Sequence, residues 1–287
     1  MPVSALALVV TAAFIHAYWN FLVKRAAGGA AFVWLLSLAS AVIYAPLVLV
    51  LVVIDPPQYG LAEWLLIVSS GLFHLVYTLT LNHGYRVADL SVVYPVARGT
   101  GPLIATVGAI MLLGERPPVL GLLGVALIIA GIVCIAWQMP APHARSGPMK
   151  GVMYGALTGV CIATYTINDA YAVKVLAVSP ILLDYFGNLV RVAFLTPSVL
   201  SNVPALRNEW RRNVKLALAV GALIPVSYVL CLYAMQLAPV SYVAPARELS
   251  MLIGAYFGAR FLQEGGMRQR LIGSALMIGG IVGLALI

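Results

Sequence analysis

Charge is what this sequence has least of. Its 287 residues include nine Asp and Glu and 17 Lys and Arg, 9% in all, against 62% hydrophobic residues, and the mean hydropathy is +1.01. A soluble globular domain carries roughly a quarter of its residues as charges, so that class is excluded. Cysteine is nearly absent as well. Cys134, Cys161 and Cys231 each stand alone in an apolar run, with no pairing spacing and no Cys/His cluster, so neither a disulfide framework nor a zinc site is expected and no cofactor is implied. No glycine-rich phosphate loop follows a strand, and no nucleophile, acid–base or metal-binding groups gather near one end of the spans. Direct nucleotide drive and a catalytic centre therefore lack the residues to build them. The formal charge of +8 does not point to nucleic acid, because the basic residues are scattered over short connections instead of lining one face.

What the sequence has in abundance is apolar length. Runs of about 18 to 24 residues recur throughout, each long enough as a helix to cross a hydrocarbon layer of roughly 30 Å. Spans are expected at 3–23, 30–53, 62–84, 89–112, 118–138, 150–173, 179–200, 214–236, 239–262 and 269–287. Turn signals such as Gly28-Gly29, Asp55-Pro56-Pro57, Gly114 to Pro118 and Asn202 to Asn213 separate them. The run from Val3 lacks a basic leader and a small-residue cleavage site, which marks it as a retained span. Connections after the odd-numbered spans hold twelve Lys and Arg and the others two, Arg116 and Lys174. Positive charge stays on the cytoplasmic side, so both termini are expected on the non-cytoplasmic side of an inner membrane.

The chain also repeats itself. Shifting Leu90–Ala136 by 149 positions places Arg98 on Arg247, Glu115 on Glu264, Gly124 on Gly273 and Gly131 on Gly280. Pro95 and Pro245 align with a one-residue slip, and Val23-Lys24 meets Val173-Lys174 at a shift of 150. Two halves, 1–138 and 150–287, thus have five spans each. An odd number turns the second half over, giving an all-α polytopic membrane protein of ten transmembrane helices in two inverted five-helix repeats. Secondary transporters are built this way, with substrate bound where the halves meet near the midplane.

Each half ends in a proline, a charged mid-helix residue, an acidic turn (Gly114-Glu115 or Gln263-Glu264) and a glycine-rich last helix (Gly124 to Gly131, Gly273 to Gly280). This order resembles the drug/metabolite transporter superfamily in its EamA-type branch, along essentially the whole chain. The resemblance implies a transporter and no enzyme; the superfamily includes exporters of amino acids and other metabolites. Arg98 and Arg247-Glu248 depart from the family pattern, which is apolar or small there, and suggest a charged substrate.

Charges in the hydrocarbon centre cost about 2.5 to 3.5 kcal/mol on insertion scales and face a partner or a cavity. Arg98 and Arg247-Glu248 lie near the midplane. Arg98 or Arg247 can hold a substrate carboxylate as a bidentate pair, or form a helix-orienting salt bridge with Glu248 or Asp184. Pro95, Pro102 and Pro245 are candidate hinges that free backbone carbonyls beside a cavity. Asp184, Asn188 and Arg191 share one helical face beside Tyr185, as a binding or network stripe, with snorkelling the other reading for Asp184. His16 and Asn20 share a face in the first span. Tyr165, Asn168 and Asp169 are their repeat partners, and His74 with Tyr77 forms a face in the third span. Trp19, Tyr77, Tyr94, Tyr165, Tyr185 and Tyr228 lie deep enough to wall a substrate or simply to pack helices. Glu248, Asp169, His16 and His74 are the candidates for carrying a coupling proton, whereas Glu115 and Glu264 read as helix-end structure.

The expected activity is alternating-access transport of a small polar or amphipathic metabolite, amino-acid-like and exported, by a chain for which a monomer suffices and whose partners are that substrate, the lipid bilayer and a coupling proton. An exporter of cationic or lipophilic compounds, with Glu248, Asp169 and aromatics as its site, is the alternative. A membrane enzyme or sensor subunit and a channel are more remote.

Overall fold

The computed structural model describes residues 1–26, 28–88, 90–136, 148–253 and 267–286. Among them every regular element is helical: α1 (Val3–Ala26), α2 (Ala30–Ile54), α3 (Leu61–Val87), α4 (Leu90–Leu112), α5 (Val119–Ala136), α6 (Pro148–Lys174), α7 (Pro180–Leu200), α8 (Val203–Leu237), α9 (Val240–Ala246) and α10 (Met267–Ala285). A helical piece at 249–253 follows α9. Arg145, Arg260, Gln263-Glu264 and the ninth expected span from 254 onward lie outside the described residues.

Five helices (Val3–Val23, Ala30–Ile54, Leu61–Val87, Val92–Leu112 and Val203–Leu237) are each long and apolar enough to cross a membrane, and Val119–Cys134 and Leu271–Ala285 are shorter apolar helices. α6 and α7 are less apolar because they carry polar faces. Thr158, Thr166 and Asp169 on α6 and Asp184 and Asn188 on α7 are all buried, so these faces turn toward other helices. Large apolar side chains such as Leu49, Val53, Met111, Leu123 and Val282 are exposed instead, as a lipid-facing surface requires.

Part of the packing follows a two-fold symmetry. Exchanging α1–α5 with α6–α10 carries the α1–α8 contact onto α6–α3 and the α2–α8 contact onto α7–α3, and all four pairs pack. The α2–α7, α4–α9 and α5–α10 contacts map onto themselves. At the α5–α10 crossing, a Cβ on Gly124 would lie 3.0 Å from the Gly280 carbonyl oxygen, and one on Gly131 would lie 2.5 Å from that of Gly273. Each glycine therefore faces the repeat copy of the other, and the two helices run antiparallel, so the repeats are inverted. Backbones approach this closely only where both helices offer glycine. The N-terminal amine of Met1 donates to the Leu284 carbonyl at 2.6 Å, which puts both chain ends at one end of the bundle.

Two local outcomes differ from the sequence expectations. The expected loop from Asn202 to Asn213 is the start of α8. Asn202 caps it by accepting from the Ala205 amide at 3.2 Å, Pro204 sits in the first turn, and Asn213 donates to the Ala26 carbonyl at 3.1 Å, tying this extension to α1. The ninth span, expected as one helix, is broken at Arg247-Glu248. There Glu248 N donates to Pro245 O at 3.0 Å, Ser250 N to Arg247 O at 3.3 Å and Met251 N to Glu248 O at 2.8 Å, the tighter i to i−3 pattern. Pro245 lacks an amide and cannot donate to the carbonyl one turn back, Ser241 O. Thr106 of α4 donates its hydroxyl to that oxygen at 3.4 Å.

Candidate functional site

The break in the ninth span delivers its charges to the first half. Arg98, one turn before Pro102 on α4, donates from Nη1 to both oxygens of Glu248, at 3.3 and 3.1 Å. Arg247 Nε lies 3.8 Å from the same carboxylate. Glu248 is fully buried, and Arg98 and Arg247 are nearly so. One carboxylate thus serves two guanidinium groups, one from each repeat. Buried unpaired charge is expensive, and this arrangement leaves Arg98 paired and Arg247 only loosely so. Among the described residues, neither Nη atom of Arg247 has a hydrogen-bond partner.

Aromatic rings enclose both arginines. Arg98 lies over Tyr94 at 5.3 Å from its ring centroid, and Arg247 over Tyr165 at 5.8 Å. Tyr165 stacks on His74 at 4.1 Å and meets Tyr77 at 5.7 Å and Tyr228 at 6.4 Å. His74 Nδ1 is 2.9 Å from the Ser70 carbonyl; a carbonyl can only accept, which assigns the ring proton to Nδ1 and leaves Nε2 as the acceptor. Tyr228 donates to Asp169 at 2.5 Å, and Asn168 donates to the other oxygen of Asp169 at 2.9 Å and to the Leu66 carbonyl at 3.0 Å. Ser69 donates to Asn168 Oδ1 at 2.8 Å. Asp169, fully buried, is thereby a satisfied acceptor joined through Tyr228 to the His74 ring, 5.1 Å away.

The other candidates form two further groups, on α1 and on α7, both within electrostatic reach of this cluster, His16 of Arg98 and Arg247 and Arg191 of His74. His16 packs edge-on against Trp19 at 4.5 Å, Trp19 donates to Ser227 on α8 at 3.1 Å, and Asn20 turns back to the His16 carbonyl at 2.8 Å. His16 Nε2 is buried without a hydrogen-bond partner among the described residues. On α7, Arg191 Nη2 lies 3.9 Å from Asp184, a long pair, while Asn188 donates to the Ser37 carbonyl of α2 at 2.8 Å and Tyr185 packs on Phe186 at 5.6 Å. Pro95 and Pro102 lie within an α4 that stays continuous. Among the described residues no set of three His, Cys, Asp or Glu side chains is placed to hold a metal ion.

The EamA-like transporter family matches residues 3–137 and, a second time, 149–286. The chain belongs to this family. It is a multi-pass membrane protein of the drug/metabolite transporter superfamily, whose family members are transporters. A solved structure titled only as the crystal structure of a protein is 16% identical, covers 99% of this chain and 98% of its own, and superposes with a TM-score of 0.73; at that identity the likeness is one of fold. None of the curated proteins compared matches.

Within this EamA-like framework the acidic turn has a definite job. Gly114, at φ +67°, turns the chain so that Glu115 Oε1 accepts from Val240 N at 2.6 Å and Oε2 from Ser241 N at 2.9 Å. Lys174 joins it at 3.3 Å and also donates to the Ala238 carbonyl at 3.0 Å. Glu115 is helix-end structure, as its position implies, but the helix it caps is α9 of the other repeat. Sequence reasoning did not single out Thr106, Ser227 or Ser69. Hydroxyls in apolar runs are common, and only the pairing across helices distinguishes these three.

Proposed function

We propose that the chain is a secondary transporter that moves a small polar or amphipathic, amino-acid-like metabolite across the inner membrane by alternating access, in the export direction. The observation that carries this reading is the meeting of Arg98, Arg247 and Glu248, one arginine from each inverted repeat, inside an aromatic enclosure. In it, Arg247 takes the substrate carboxylate and Tyr165, Tyr77, Tyr228 and His74 wall the rest, while the Arg98–Glu248 pair ties α4 to the broken ninth span. Asp169, linked to His74 through Tyr228, is the group for a coupling proton. Residues 1–138 and 150–287 act as the two moving halves, a monomer suffices, and both termini face away from the cytoplasm.

The test is transport by purified protein in liposomes against a broad panel of amino acids and related metabolites, with and without a pH gradient. Saturable movement of at least one carboxylate solute is expected. Failure of the whole panel under both conditions would refute the reading.

A further inference from the structure

A second site lies apart from the central cluster. Helices α2, α7 and α8 enclose a pocket of about 200 Å³, walled by Leu47, Val229 and the rings of Tyr44, Tyr185 and Tyr233, with Asp184 in its lining. None of these residues belongs to the arginine–tyrosine cluster. Leu47 and Tyr233 are exposed on the outer surface of the bundle, so the pocket opens toward lipid. Tyr44 is fixed as a wall because its hydroxyl donates to the Ala222 carbonyl at 2.5 Å.

Asp184 does not fit its surroundings as a purely structural residue. It is 8% exposed, its nearest cation, Arg191 Nη2, stands at 3.9 Å, and it accepts no hydrogen bond among the described residues. A carboxylate nearly removed from water and without a donor is costly, and a cation reaching it through the pocket would supply the missing hydrogen bonds. The tyrosine faces add attraction for a cation. An apolar cavity of about 150 Å³ accepts a benzene ring, so this one has room for a ring with a short amine arm.

We propose that this pocket is a bilayer-facing binding site for a small amphiphilic amine, with the ammonium on Asp184 and the apolar body among Tyr44, Tyr185, Tyr233 and Val229. The proposal does not depend on the carboxylate reading of the central site.

Binding of 2-phenylethylamine, 2-phenylethanol and 3-phenylpropionate to the full chain in nanodiscs, with empty nanodiscs subtracted, separates charge from shape. The amine is expected to bind at least about tenfold tighter than the alcohol, with the carboxylate weakest at this pocket. Asp184→Asn should erase the advantage of the amine over the alcohol. Val229→Trp, which fills the pocket and keeps the carboxylate, should abolish binding of the amine even if Asp184→Asn does not fold. Equal binding of amine and alcohol to the unaltered protein, or undiminished amine binding in Val229→Trp, overturns the proposal.

Discussion

α4 and the ninth span descend from one repeated sequence, yet they end differently. α4 runs unbroken from Leu90 to Leu112 through Pro95, Arg98 and Pro102. Its mate stops at Ala246 and resumes at 249. The difference is local: Glu248 follows Arg247, whereas Gly99 follows Arg98. Inverted symmetry builds the shell, in which matched glycines pack α5 on α10 and matched helices pair across the halves. A departure from symmetry at one position puts a carboxylate between two arginines. Arg98 is held by it at 3.1 and 3.3 Å, whereas Arg247 reaches it only at 3.8 Å. A broken helix whose end faces the midplane is where transporters of this construction bind their cargo.

The strongest way to break this comparison is to remove the carboxylate. Glu248→Ala leaves two buried guanidinium groups without a counter-charge, and losing one partner of a buried pair costs about 3 to 5 kcal/mol. The expected outcome is a large fall in thermal midpoint. Replacing Arg98 and Glu248 together by apolar residues of similar volume should recover most of it. A Glu248→Ala protein that melts like the parent would mean that Arg98 has another partner.

Next in size is the split between the two arginines. Arg98→Gln should lower the midpoint, because it unties α4 from the ninth span. Arg247→Gln should hold the midpoint and weaken substrate binding about 10- to 100-fold, the value of a lost hydrogen bond to a charged group at about 1.5 to 3 kcal/mol. Equal effects of both substitutions on both readouts would erase the distinction drawn between the repeats.

Smaller again is the cap that the first half gives the second. Glu115→Ala should cost about 0.5 to 2 kcal/mol, seen as faster amide exchange at Val240 and Ser241 with α4 unaffected. The smallest effect is expected from Thr106→Val, which removes the hydroxyl that satisfies Ser241 O beside Pro245, at about 0.5 to 1.5 kcal/mol.

Much of this was legible in the sequence for physical reasons. Hydrocarbon length sets helix length, so apolar runs located the spans. Arg98 survived as Arg247, Gly124 as Gly273 and Gly131 as Gly280, so the repeat could be read directly. Gly71 and Gly221, 150 positions apart, mark a further matched approach, each lying against a backbone oxygen of α7 or α2, Gly187 O and Leu36 O. What could not be read were partners chosen by geometry. Whether Arg98 would face a ligand or Glu248 depended on how the helices were rotated. The start of α8 was hidden because a basic, proline-containing stretch looks like a loop until Asn202 is seen capping it. The break at Arg247-Glu248 was hidden because Pro95, the repeat copy of Pro245, sits in a helix that does not break.

The central claim is that Arg247, not Arg98, anchors the cargo where the two repeats meet. Counterflow of a labelled amino-acid substrate into proteoliposomes tests it most directly, with the parent and the Arg247→Gln protein at matched thermal midpoints. The account predicts saturable counterflow in the parent and at least a tenfold loss in Arg247→Gln, with a smaller loss for the substrate analogue that lacks the carboxylate. Undiminished counterflow by Arg247→Gln would contradict it.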